Sequence, residues 1–289
     1  MLFKNFIYFC TSKKYEIIIN LKIVLWKMKT VKAKKYLGQH FLNDLVIARK
    51  IVDSLQSPPF QAIEVGPGMG VLTQFLVERC DLTMKYVEID HESISYLIRN
   101  YPEIKYDLID KDFLKIDINE IFPKGQCSII GNFPYHISSQ ILFKALNNRD
   151  KITSLVGMVQ REVGRRIASG SGSKEYGILS VLLQSFYKVE YLFTVDEHVF
   201  TPPPKVKSGV IRMTRNDVKK LTCDEQIFTK VVKAAFNQRR KTLRNSLSKL
   251  PFEFDSVKHL PVFGLRPEQM SVTGFQELAC MIESLPHIK

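Results

Sequence analysis

Asn132-Phe133-Pro134-Tyr135 combines the residue types needed to activate an exocyclic aromatic amine. Such an amine is a poor nucleophile because its lone pair is delocalised into the ring. Two acceptors, the Asn132 side-chain oxygen and the Phe133 carbonyl, can bind its hydrogens and favour a pyramidal, more nucleophilic nitrogen. Pro134 restricts the backbone so that this carbonyl is aimed, and Tyr135 offers a ring for a base to stack on. No general base is required if the amine is held in line with an electrophilic methyl by hydrogen bonds that strengthen as nitrogen becomes positive. Asn and Pro also meet in plain turns, so these residues gain meaning from what lies upstream.

Upstream, the apolar run Ala62–Val65 leads into Gly66-Pro67-Gly68-Met69-Gly70. A strand, a glycine loop and then a helix is where an open α/β sheet takes a nucleotide-like ligand, although a tight turn explains such a cluster equally well. The dinucleotide fingerprint needs a further glycine at position 71, which is Val71, so the spacing is not that of a pyrophosphate loop. Glu88 ends the next strand, about 20 residues on, where a carboxylate can accept from both ribose hydroxyls. Asp112 ends the third strand and can accept from an adenine amine, with Ile89 or Phe113 packing on the ring. Taken singly, each is ordinary, and Glu88 could be a solvated strand end. In this order they describe a pocket for an adenosine-bearing ligand that lacks a diphosphate.

The elements that must position these groups alternate. Strands are expected at Ala62–Val65, Met84–Ile89, Ile104–Ile109, Cys127–Ile130, Ser154–Val159, Tyr187–Val195 and Gly209–Met213, which argues for a largely parallel α/β sheet. Helices are expected through Leu72, Phe75, Leu76 and Arg79, over Ser93–Arg99, and after Ser138, which can cap the last of these. Ser169-Gly170-Ser171-Gly172-Ser173 reads as a flexible polar loop, and Pro202-Pro203-Pro204 as a stiff connection. After Arg215 only helical periodicity remains, over Cys223–Lys249 and Glu268–Leu285. A small helical domain is therefore expected, with its boundary between Thr214 and Thr222.

The chain of 289 residues has a net charge of +13, which points to a polyanionic partner, nucleic acid before membrane. Between Thr229 and Leu250 there are seven basic residues and no acid: Lys230, Lys233, Arg239, Arg240, Lys241, Arg244 and Lys249. Arg239 and Arg240 interrupt the apolar stripe of Val232, Phe236, Leu243 and Leu247. A helix end or bend is expected near Asn237–Arg240, presenting guanidinium groups for phosphate. The run Lys27, Lys29, Lys32, Lys34, Lys35 could add phosphate contacts or be a solvated tail. Five scattered cysteines without a C-x-x-C pair argue against zinc or a disulfide framework and for a reducing cytoplasm. Residues 1–27 hold no apolar stretch near the ~20 residues of a membrane span. They read as an appendage, and a start at Met28 would give a complete domain of residues 28–214 followed by the helical domain of 215–289.

At this point the chain resembles the small-subunit (16S) ribosomal RNA adenine N6,N6-dimethyltransferases, from Lys32 to Ser284. The matching motifs are Lys35-Tyr36-Leu37-Gly38-Gln39-His40-Phe41-Leu42, Glu64-Val65-Gly66-Pro67-Gly68-Met69-Gly70, Val87-Glu88-Ile89-Asp90, Asp112-Phe113 and Gly131-Asn132-Phe133-Pro134-Tyr135. Val199-Phe200-Thr201-Pro202-Pro203-Pro204-Lys205-Val206, Ala235 to Leu247 and Leu265-Arg266-Pro267-Glu268 complete the set. The resemblance implies a Rossmann-like seven-stranded methyltransferase sheet with a small all-helical C-terminal domain. It implies S-adenosyl-L-methionine as cofactor, held by His40, Leu42, Gly66, Gly68, Gly70, Glu88, Ile89, Asp112, Phe113 and Asn132. The target adenine would be held by Asn132, Phe133, Pro134 and Tyr135, with Phe200 as a second stacking ring. RNA would be gripped by Lys205, Arg239, Arg240, Lys241 and Arg244. Two adjacent adenosines near the 3′ end of small-subunit RNA would be dimethylated late in 30S assembly, on the immature particle, by a cytoplasmic monomer without metal. His40 stands where many members have Asn, and Phe133 where Leu is more usual. The rivals are a large-subunit adenine methyltransferase of the erythromycin-resistance type and a non-catalytic assembly factor on the same fold.

Overall fold

The structure, a computed structural model, describes residues 31–286 apart from Ser57 and Pro59. The expectations for residues 1–27, including Cys10, Lys27 and the start at Met28, lie outside the described residues, as does Lys29.

In chain order the described elements are β1 (Phe41–Leu42), α1 (Leu45–Asp53), β2 (Gln61–Val65), α2 (Thr73–Leu76), β3 (Thr83–Glu88), α3 (His91–Asn100), β4 (Leu108–Asp110) and α4 (Ile118–Ile121). There follow β5 (Cys127–Asn132), α5 (Ser138–Asn147), β6 (Ile152–Gln160), α6 (Arg161–Ala168), α7 (Ile178–Gln184), β7 (Tyr187–Val195), β8 (Phe200–Thr201) and β9 (Ser208–Arg215). The chain closes with α8 (Glu225–Asn237), α9 (Leu243–Leu247) and α10 (Val272–Glu283).

Seven strands form one sheet in the order β4-β3-β2-β5-β6-β9-β7. β4 to β6 run parallel, whereas β9 is antiparallel to both β6 and β7. The chain winds outward from β2 to β4, then returns to place β5 on the other side of β2. That reversal opens a crevice beyond the carboxyl ends of β2 and β5. Glu64 pairs with Ile130, so Gly66 and Asn132, each two residues on, emerge side by side at its mouth.

Each face of the sheet carries its own apolar cluster. One joins Ala48, Ile51, Leu76 and Leu97 from the helices to Ala62, Ile130 and Val156 from the sheet. The other joins Ile63, Ile129 and Leu155 to Leu142, Val181, Phe228, Val231, Phe275 and Leu278. The C-terminal helices thus share a continuous cluster with the sheet. Local chemistry starts the helices. Asp44 caps α1 by accepting from the Val46 and Ile47 amides, Asp224 caps α8 in the same way, and Ser271 caps α10 through the Gly274 amide.

Some elements differ from their expected form. The strand expected from Ile104 begins only at Leu108, because Pro102–Ile104 forms a 3-10 turn whose buried Ile104 anchors it in the core. The helix after the glycine loop ends at Leu76, short of Arg79. Ser138 does not cap α5: Ile137 holds the cap position, and the Ser138 hydroxyl donates to the Tyr135 carbonyl at 3.0 Å. The expected break near Asn237–Arg240 is present, since α8 stops at Asn237 and helix resumes at Leu243. No helix among the described residues is long and apolar enough to cross a membrane.

Candidate active site

The crevice holds a cavity of about 260 Å³. Its walls come from the segment Leu37–Leu42, the loop after β2, the end of β3, the turn after β4 and the end of β5. His40, Leu42, Gly66, Gly68, Glu88, Ile89, Asp112, Phe113 and Asn132 all line it. Gly70 does not.

The three glycines differ in what they do. All have positive φ, +69° at Gly66, +59° at Gly68 and +78° at Gly70, a region that L side chains rarely enter. A Cβ on Gly70 would lie 2.4 Å from the Tyr101 ring, so that glycine allows packing. A Cβ on Gly66 would meet nothing within 4 Å. It would project into the cavity, which is the arrangement a closely approaching ligand needs.

Glu88 is buried at the end of β3 and braces the loop. One carboxylate oxygen accepts from the Gly68 amide at 3.0 Å; the other accepts from the Ile89 and Asp90 amides at 2.8 and 3.0 Å. Burial raises its pKa, and these three hydrogen bonds oppose the shift. The oxygen bound to Gly68 keeps a lone pair for a hydroxyl. Beside it, the Ile89 side chain is 48 % exposed, an apolar surface awaiting a flat ring, and Phe113 is buried nearby in the wall. Asp112 caps the following 3-10 turn through the Leu114 amide at 2.9 Å, which fixes its carboxylate at the cavity edge.

Asn132 donates its side-chain amide to the His40 carbonyl at 2.9 Å, which leaves its side-chain oxygen free to accept. The Phe133 ring is buried against Gly131 and Gly157; a Cβ on Gly157 would lie 2.1 Å from it. The Phe133 amide donates to the Met158 carbonyl at 3.1 Å, holding the turn on β6. The hydroxyls of Tyr135 and Ser208 are 2.6 Å apart, and the Tyr135 ring stacks on His40 with centroids at 5.6 Å and planes 26° apart. His40 Nδ1 in turn donates to the Pro202 carbonyl at 2.8 Å. Burial raises the Tyr135 pKa, with the Ser208 bond opposing, so the phenol stays neutral. Phe200 is not on the cavity wall. Its ring is buried in the cluster with Leu42, the residue opposite it in the β1–β8 pair, so in this arrangement it supports β1.

Glu64 opens the quoted glycine motif, but the sequence reading gives it no role at the site. It lines the cavity from within β2, fully buried, accepting from the Thr73 hydroxyl at 2.7 Å. A lone acid inside an otherwise apolar strand run is the signal that marks it.

Among the basic residues, Arg240, Lys241, Arg244 and Lys205 are exposed, and the Arg244 guanidinium donates to the Lys258 carbonyl at 3.0 Å. Arg239 has a tie within the fold: it donates to the Ser173 carbonyl at 3.1 Å and lies 4.0 Å from Glu268, whose carbonyl accepts from Gly172. Lys205 lines a second cavity with Arg161, Lys207, Glu162 and Glu197. No group of three or more His, Cys, Asp or Glu among the described residues is arranged to hold a metal.

Residues 30–259 match the family model described as ribosomal RNA adenine dimethylase. The chain belongs to the ribosomal RNA adenine dimethylase family. It is 55% identical over 257 residues to the ribosomal RNA small subunit methyltransferase A of Bacteroides thetaiotaomicron, covering 89% of this chain and 96% of that one. Its counterpart in Parabacteroides distasonis is 57% identical over 253 residues, covering 87% and 94%. Among solved structures, a dimethyladenosine transferase from Plasmodium falciparum superposes with a TM-score of 0.68 at 25% identity, covering 83% of this chain and 96% of that one. The 23S rRNA methyltransferase ErmE shares the fold, with a TM-score of 0.60 at 23% identity, covering 83% and 99%. As a family member the protein is a methyltransferase acting on ribosomal RNA.

Proposed function

We propose that this dimethylase transfers methyl groups from S-adenosyl-L-methionine to N6 of two adjacent adenosines near the 3′ end of small-subunit ribosomal RNA, on the immature 30S particle. The observation that carries the reading is the adjacency of Gly66 and Asn132 at the mouth of one cavity. Support for the small subunit comes from relatives above 50% identity that carry that name.

The residues fit the cofactor. Gly66 leaves room for close approach, Glu88 offers an acceptor to the ribose, and Ile89 and Phe113 offer apolar faces to the adenine, with Asp112 beside them. When bound, the cofactor supplies an electrophilic methyl on a sulfonium. Asn132 and the Phe133 carbonyl hold the target amine by its hydrogens, and Tyr135 holds the base by stacking. Held in this way, the amine would present its nitrogen lone pair to that methyl, and the proton it gives up would leave to solvent. Arg240, Lys241, Arg244 and Lys205 grip RNA phosphates, largely without reading sequence. On this reading residues 28–214 carry the chemistry and 215–289 help to seat the RNA, as a monomer in the cytoplasm.

The test is mass analysis of small-subunit RNA from a strain lacking the protein, after incubation with protein and cofactor. Two N6,N6-dimethyladenosines are expected, and almost none with Asn132→Ala. Methylation of large-subunit RNA instead would transfer the assignment to the erythromycin-resistance type. Particle binding without methyl transfer would leave an assembly factor.

A further inference from the structure

Glu64 has no task in the transfer chemistry, yet it lies on the cavity wall two residues before Gly66. Its side chain is 1% exposed, and one oxygen accepts from Thr73, itself fully buried. The groups around it offer no positive charge. Tyr86 is its register partner on β3 and Ile130 its partner on β5, Tyr101 packs beneath Gly70, and Glu88 is the carboxylate whose charge reaches it. A buried carboxylate without a cation is expensive, so the group keeps its proton. Burial pushes its pKa up to about 8; the Thr73 hydrogen bond pulls it down and the charge on Glu88 pushes it further up.

The proposed cofactor and its product differ in one respect that such a group can sense. The donor carries a sulfonium and the product a neutral thioether, while the rest of the two molecules has the same charge. The cavity wall presents the carboxyl groups of Glu64, Glu88 and Asp112 against the single ammonium of Lys111, which pairs with Glu120 at 3.5 Å. One extra positive charge entering this space is best met by ionising the buried acid.

We propose that Glu64 is the group by which the cavity distinguishes the sulfonium donor from its thioether product, giving up a proton as the donor binds and regaining it as the product forms. The proton lost from the carboxyl goes to solvent, and the carboxylate is reprotonated once the sulfonium charge is gone. Over a turnover Glu64 is unchanged, and the only net proton released comes from the methylated amine. Product is then held by a neutral acid rather than an ion pair, which favours its departure. The inference rests on the proposed cofactor.

Calorimetry of the full chain with donor and with product, in buffers of different ionisation enthalpy, tests it without turnover. Near pH 7 donor binding is expected to release close to one proton and product binding markedly less. The donor Kd should fall about tenfold per pH unit as pH rises toward 8, while the product Kd stays nearly flat. Glu64→Gln should abolish the proton release and the slope while product still binds. Thr73→Val, which removes the opposing hydrogen bond, should move the midpoint to higher pH. Equal proton counts for the two ligands in the parent, or persistent release in Glu64→Gln, would overturn the proposal. If neither ligand binds the parent, the cofactor assignment itself fails.

Discussion

The Asn132 side-chain amide donates to the backbone carbonyl of His40, from the segment that crosses the cavity ahead of β1. That one bond decides which way the amide points, because its nitrogen is engaged and its oxygen is left for a substrate hydrogen. The His40 ring contributes separately, stacked on Tyr135 and tied to Pro202. Asn132→Ala should therefore lower kcat by about 10²- to 10³-fold, as loss of a preorganised hydrogen-bonding group does elsewhere. His40→Ala keeps the carbonyl and should lose no more than about tenfold, a stacking-sized effect. Single-turnover methyl transfer compares the two; equal losses would mean that the ring, and not the carbonyl, orients the site.

Tyr135 and Ser208 form the next tie, hydroxyl to hydroxyl at 2.6 Å. Tyr135→Phe and Ser208→Ala each remove the same bond, worth about 1 kcal/mol. Each should slow transfer several-fold, and the double variant should be no slower than the worse single one. Tyr135→Ala also removes the ring, and about 1–3 kcal/mol of base stacking should then appear in KM for RNA. Full additivity in the double variant would show that the two hydroxyls act independently.

Glycine substitutions separate folding from ligand approach. Gly66→Ala introduces a Cβ into open cavity, so its cost to the fold is about 1–2 kcal/mol for the left-handed backbone alone. The Tm should fall by only a few degrees, yet cofactor affinity should drop more than about tenfold as the methyl occupies ligand space. Gly157→Ala drives a methyl into the Phe133 ring and should cost about 1–3 kcal/mol and disturb the Asn132 turn. Thermal unfolding beside calorimetry with the thioether product distinguishes the two. Unchanged cofactor binding in Gly66→Ala would remove that glycine from the site.

Much of this arrangement is legible in the sequence because it is written locally. The Gly66–Gly70 loop, the acid at Glu88 and the Asn132–Tyr135 turn each follow an apolar strand, and parallel strands deliver their carboxyl ends to one edge. What is not legible depends on chain segments far apart in number. Phe200 reads as a free ring, but the pairing of β8 with β1, 158 residues away, turns it into the core. Arg239 reads like its neighbour Arg240, and only the positions of Ser173 and Glu268 give it partners within the fold. The strand expected at Ile104 yields to Pro102, a local signal masked by the apolar–polar alternation from Ile104 to Leu108.

The basic turn after α8 should divide accordingly. Arg240 and Lys241 are exposed, and truncating both should weaken RNA binding and reduce the slope of log K against log salt by about one for each phosphate no longer neutralised. Arg239→Ala removes a tie between the 169–173 loop and the C-terminal helices, and should lower Tm while leaving the salt slope nearly unchanged. Filter binding over a salt series, with melting curves for the same variants, measures both. A salt slope as reduced in Arg239→Ala as in Arg240→Ala would place both guanidinium groups on RNA.

Glu64 also ties folding to pH, and the sign follows from its raised pKa. The folded chain holds this proton up to about pH 8, whereas the unfolded chain releases it near the ordinary glutamate value of about 4.3. Its contribution is therefore fully present below the unfolded value and lost as pH rises toward 8, because over that interval the folded state binds more protons. In Glu64→Gln nothing at this position titrates, so the difference between the two proteins isolates the effect from histidines and surface acids. Parent stability should fall relative to the variant by about 1 kcal/mol per pH unit between about pH 5.5 and 7.5. Urea unfolding at three pH values in that range measures the divergence. Parallel curves would mean that Glu64 ionises as freely in the fold as in the open chain, which its burial beside Glu88 does not permit unless a cation has joined it.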